Sequence, residues 1–126
     1  MVQYISEMER KKCKIISEIF SGLCKALDIV IMDTGKYGFV KMQYDDEERE
    51  FINISTFIDG DGLFEALWKD WLNEQLFTYA LRPPYEFMDY EEIFEHLPKK
   101  RQTQLMAKRI YFRQKLEEKI TLRPDL

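Results

Sequence analysis

The stretch DIVIMDTGKYGFVKMQYDDEEREFINI, residues 28–54, decides the fold. It opens with a short run rich in β-branched side chains (28–33), passes through the turn signal Thr34-Gly35-Lys36, and then alternates. Over 37–44, Val40, Met42 and Tyr44 fall on one face and Lys41 and Gln43 on the other. Asp45, Asp46, Glu47 and Glu48 make a polar tip, after which 49–54 forms a third extended run. Three short runs joined by tight polar connections predict an antiparallel meander. Parallel strands would need crossovers of a dozen residues, for which there is no room.

The flanking segments change period. Residues 4–27 place Ile5, Met8, Ile16, Ile19, Phe20, Leu23 and Leu27 at helical spacing, with Lys12 interrupting the stripe and Gly22 as its weakest point. After Asp59-Gly60-Asp61-Gly62, residues 62–81 form a second helix with apolar positions all round, including Trp68, Trp71 and Tyr79. A surface helix needs an apolar stripe only about 100° wide. This helix is therefore either central to the fold or covered on a second side by another chain. Arg82-Pro83-Pro84 stops it, and Tyr85 and Phe87 beyond are expected to pack back on it. Asp89 with Glu92 has the form of a capping box opening a third helix, 89–96. Pro98 suits the first position of a fourth, running to about 120, and 120–126 reads as a frayed tail. The expectation is one α+β domain over 1–126, in the order α-β-β-β-α-α-α, with the sheet packed against helices.

Composition bounds the function class. A chain of 126 residues, 45% hydrophobic and 33% charged, is long enough for one unstapled core. Charges appear before any apolar run at the N-terminus, no stretch approaches a membrane span, and no lipidation motif is visible. A soluble, cytoplasmic protein without membrane contact is expected. Cys13 and Cys24, eleven positions apart on one helix, would stand about 16 Å from each other, too far for a disulfide or a shared metal. Both are expected as free thiols.

Candidate sites are few. Asp59-Gly60-Asp61-Gly62 resembles the start of a calcium loop but lacks the further ligands, so a turn with Asp61 capping the next helix is expected. His96 is the only histidine, which excludes a two-histidine metal site within one chain. Glu92 and His96, four apart, are the one pair suited to a metal or to acid–base work, but a cap and a helix C-terminus account for each separately. No catalytic constellation is visible and no cofactor is implied; an enzyme is the third reading.

Charge distribution is the strongest departure from a bland globule. Residues 1–96 hold 10 Lys+Arg against 20 Asp+Glu, whereas 97–126 hold 9 against 3. Lys99, Lys100, Arg101, Lys108, Arg109 and Arg113 crowd the last helix, the first three in its opening turn, where the helix dipole disfavours cations. These six are the expected contacts for a partner. The leading expectation is a protein-interaction module, self-associating into a homodimer, with Trp68, Trp71 and Tyr79 as its apolar interface. A nucleic-acid-binding accessory protein using the basic helix is the alternative, against which the acidic bulk and a pI of 5.1 count.

Overall fold

The computed structural model describes residues 3–122. Among these are five α-helices and three strands: α1 (Glu7–Ile19), α2 (Ser21–Leu27), β1 (Ile29–Asp33), β2 (Phe39–Asp45), β3 (Glu50–Phe57), α3 (Gly60–Ala80), α4 (Tyr90–His96) and α5 (Lys99–Leu122). The fold is α+β, with an open antiparallel meander in the order β1-β2-β3, as the residue pattern predicts. Two compact units divide the chain: Met1–Glu65 with Lys115–Leu126, and Ala66–Gln114. α5 is helical through Leu122, two residues past the start of the expected tail; the rest of that tail, 123–126, lies outside the described residues.

In the first unit the single N-terminal helix expected over 4–27 is two helices. Ser6 caps α1 by accepting a hydrogen bond from the Glu9 amide, and the helix ends at Phe20, whose backbone leaves helical geometry. The break lets the Phe20 ring sink to 1% exposure, edge-on to Phe64 with centroids 5.6 Å apart. Burying an aromatic pair of this kind outweighs one imperfect helical turn. Cys13 and Cys24 therefore lie on different helices, and the single-helix spacing does not apply; both are free thiols, Cys13 buried and Cys24 half-buried. Asp28, in the left-handed region at φ 56°, ends α2 and turns the chain into β1.

Strand register fixes which residues share a face of the sheet, and burial shows which face meets the helices. Ile29 pairs with Gln43, Met32 with Val40, Phe39 with Phe57 and Lys41 with Ser55. Ile29, Phe39 and Lys41 are buried on the inner face, Lys41 at 9% exposure. Val40, Met42 and Tyr44, the apolar side of the alternation, face outward instead. Between Lys41↔Ser55 and Gln43↔Ile52 the pairing slips by one residue, so Met42 opposes two residues of β3. Asn53 absorbs this β-bulge with φ 56°, and its side-chain Nδ2 donates to Gln43 Oε1 at 3.3 Å.

Two glycines hold close approaches. Gly38, at φ 100°, lies against the Phe57 carbonyl where a Cβ would stand. At the start of α3, a Cβ on Gly60 would lie 2.9 Å from Lys12 Cβ, and the Gly60 amide donates to Glu9 Oε1 at 2.9 Å. The N-cap of α3 is Asp59, not Asp61: Asp59 Oδ1 accepts from the Gly62 amide at 2.6 Å, the third residue of the helix, while Asp61 lies in its first turn. A cap side chain has to reach an amide two or three residues ahead, and from Asp59 that donor is Gly62.

The second unit is all-helical. Leu76, Ile93, Leu97 and Leu105 are its core, with Trp71, Tyr79, Tyr85 and Phe94 packed around them. Tyr85 meets Tyr79 edge-on at 5.7 Å, as expected of the connection after α3, but Phe87 is 93% exposed. The Pro83–Pro84 bond is cis. The Asp89–Glu92 capping box is formed in full at the start of α4. Gln102 of α5 donates through Nε2 to the carbonyls of Leu97 (2.9 Å) and Glu95 (3.2 Å), satisfying acceptors at the C-terminal end of α4 and fixing α4 against α5. α3 contributes to both units: Leu63 and Phe64 are buried residues of the first, and Leu76 belongs to the core of the second.

Candidate interaction surfaces

The outer face of the sheet is built by parity. Every second residue of β1 and β2 places Val30, Met32, Val40, Met42 and Tyr44 there. Pairing of Tyr44 with Phe51 and Val40 with Thr56 brings Phe51 and Thr56 to the same side. The bulge at Asn53 shifts the phase of β3 so that Ile54 joins them. Met32 is 48% exposed, Phe51 44% and Ile54 63%. No charged side chain interrupts this set. An antiparallel sheet ordinarily turns a polar face to water; here the outward face is the more apolar of the two, and the inward one carries Lys41. The strand ends are charged instead: the 45–50 turn at one end holds five carboxylates, and at the other Lys36 sits over the rings of Tyr4 and Tyr37 at 5.2 and 5.3 Å.

A second apolar surface lies within the second unit. Phe94 of α4 and Met106, Ala107 and Ile110 of α5, with Lys99, Gln102 and Thr103, line an open groove of about 380 Å³. Positions 103, 106 and 110 fall on one helical stripe, and Leu105 and Phe112 are buried on another side of the same helix.

The six basic residues do not gather on one face. Arg101 is half-buried and donates from Nε to the Tyr79 hydroxyl at 3.3 Å. Arg109 is half-buried over the Trp68 ring, 5.7 Å from its centroid. Arg113 is half-buried, and Lys108 lies 4.4 Å from the Tyr111 centroid in a cation–π contact. Lys99 and Lys100 are exposed, and their side chains form no hydrogen bond or ion pair among the described residues. Of the expected apolar interface, Trp68 is 7% exposed, stacked on Trp71 at 5.2 Å, and has little surface left for a partner. Trp71 and Tyr79 are half-buried, Trp71 edge-on to Phe112.

His96 is exposed, and its Nδ1 donates to the Glu92 backbone carbonyl at 2.8 Å, while the Glu92 carboxylate is engaged in the capping box. The contact between the two thus runs through the main chain, not through paired side chains. Among the described residues no group of three or more His, Cys, Asp or Glu is placed to hold a metal ion. No described helix is long and apolar enough to cross a membrane. Among the described residues Cys13, Asp33 and its partner Arg10, whose pKa the Asp33 contact raises, are electrostatically perturbed. Burial, reinforced by Glu9, Asp59 and Asp33, pushes the Cys13 thiol up to about 12. The Arg10 guanidinium, at 2.8 Å, and the Gly35 amide hold Asp33 below the usual carboxylate range.

Comparison with family models, with curated proteins and with solved structures returned no match.

Sequence reasoning missed both apolar surfaces. The outer sheet face was hidden because the 37–44 alternation shows only that Val40, Met42 and Tyr44 share a face, and it takes the burial of Phe39 and Lys41 to show that the other face points in. For the groove a signal was present: Met106 and Ile110, four apart, fall off the stripe formed by Leu105 and Phe112.

Proposed function

We propose that this chain is a protein-interaction module that self-associates through the outer face of its sheet. The supporting observation is that face: Val30, Met32, Phe51 and Ile54 exposed together, without a charge among them. Contiguous apolar patches of this kind mark contact sites. A second copy is the occupant that matches. One sheet offers another a complementary, gently twisted surface about 10 Å away, as in β-sandwiches. The uncharged face adds no repulsion between two acidic chains, and the charged ends select the arrangement. A two-fold axis perpendicular to the strands lays the carboxylates of the 45–50 turn over Lys36 of the other copy, whereas an axis along the strands sets like charges against each other.

Size points to a modest strength. Three strands about 4.8 Å apart and six residues long present roughly 14 by 20 Å. Mating two such faces removes about 800–1,000 Å² in total, at the low end of specific interfaces. The dimer is therefore weak, with a dissociation constant on the order of 10–100 µM. Sedimentation equilibrium from about 5 to 500 µM tests this. Wild type passes from monomer to dimer across that range, and Ile54→Lys, a change at an exposed position, leaves it monomeric. A wild type still monomeric at 500 µM, or a dimer untouched by Ile54→Lys and Met32→Lys together, overturns the reading.

A further inference from the structure

We infer that the groove between α4 and α5 receives a helical segment of another protein, apolar on one side and carrying carboxylates. The groove is shallow and open, and mostly apolar. Met106, 40% exposed, and Ile110, 59% exposed, stand on one stripe of α5, and Phe94 forms the facing wall. Both walls are held in place before any partner arrives, by the Asp89–Glu92 capping box and by the two hydrogen bonds from Gln102 to α4 carbonyls. Such preorganisation lowers the entropic cost of docking.

Charge sets the chemistry of the occupant. Residues 99–114 contain six Lys and Arg and no Asp or Glu. Lys99 lines one end of the groove and Lys100 follows it, both exposed and neither side chain engaged within the described chain. These two ammonium groups stand in the first turn of α5, where the helix dipole already disfavours cations. A carboxylate placed over them relieves both costs. The acidic residues of α4 at 91 and 95 are absent from the groove lining and do not fill that role. From Lys99 to Ile110 the stripe runs about 16 Å, which matches a partner helix of three turns presenting anchors at i, i+3 or i+4, and i+7. A nucleic acid fits less well: it would meet an apolar floor, and the cations that would grip its backbone are spread around the helix, with Arg101 and Arg109 turned onto Tyr79 and Trp68.

The test uses the full chain carrying Ile54→Lys, so that self-association through the sheet does not enter. The probe is a fluorescent, end-blocked 16-residue Ala-rich helical peptide with Leu at i, i+3 or i+4 and i+7 and three Glu flanking that stripe, followed by anisotropy. Its controls are a scramble that destroys the apolar face, a Lys-for-Glu version, and a 20-nucleotide single strand. The amphipathic acidic peptide binds at micromolar concentration and weakens about fivefold between 50 and 300 mM salt. Ile110→Asp weakens it at least tenfold with the circular dichroism spectrum unchanged, and Lys99→Glu with Lys100→Glu weakens it about tenfold. Equal binding of the scramble, no binding at 500 µM peptide, or tighter binding of the oligonucleotide overturns the proposal; the last of these transfers the surface to nucleic acid.

Discussion

Cys13 shows what burial does to a single reactive atom. Its side chain has no exposed surface, and the carboxylates of Glu9, Asp59 and Asp33 add to the cost of forming a thiolate. The folded thiol, raised to about 12, holds its proton where the unfolded one, near 8.5, has lost it. Between those values the folded state binds more protons, so stability falls as pH rises, by up to about 1.4 kcal/mol per unit, and is unaffected below about pH 8. Urea titrations of wild type and Cys13→Ala should thus diverge in slope only in alkaline buffer, the wild type losing stability faster. In native protein at neutral pH a disulfide reagent should titrate one thiol, Cys24, and reach the second only on unfolding. Rapid labelling of both would show that α1 does not seal its inner face.

At the scale of elements, the β1–β2 connection depends on Gly38. Its carbonyl accepts from the Thr34 amide at 2.9 Å and the Thr34 hydroxyl at 2.6 Å, and its missing Cβ makes room for the Phe57 carbonyl. A methyl there meets both a left-handed backbone and a rigid acceptor that cannot swing away. Gly38→Ala should cost at least about 2 kcal/mol, read as a lower denaturation midpoint. An effect within about 0.5 kcal/mol would mean the strands part easily at this end. The meander itself was legible because three short β-rich runs sit too close together for anything else, and α4 because its capping box is spelled out by Asp89 and Glu92. The split at Phe20 was not, since the ring that Phe20 packs against, Phe64, is 44 residues away. Nor were the two faces of the sheet, because alternation reports that faces differ, not which one the helices cover. The bulge hid the third strand further: strict alternation from Phe51 would put Ile54 on the opposite side from Phe51, and only pairing with β2 shows them together.

At the scale of the molecule, the proposed contacts make behaviour depend on concentration and salt in opposite ways. Apolar mating of sheet faces strengthens with concentration and is little affected by salt, so the melting temperature should rise between about 5 and 500 µM protein. Docking of an acidic helix on α5 weakens as ions screen Lys99 and Lys100. The six-cation cluster was legible as a composition shift, but its sorting was not. Helical spacing cannot tell that Arg101 and Arg109 turn onto aromatic neighbours while Lys99 and Lys100 stay in water.

The bulge at Asn53 bears on how the protein ages in solution. Phe51 to Phe57 is a run of seven residues with no charge, proline or glycine, on an edge strand whose outer hydrogen-bonding groups face away from β2. Such a segment is a template for cross-β growth, and a kinked, twisted strand is a poor one. Deleting Asn53 would leave every other side chain on its present face and straighten the strand. The shortened protein should keep its fold and yet convert on storage into thioflavin-binding fibres that the parent does not form. One extra residue thus separates the proposed reversible pairing surface from an irreversible one.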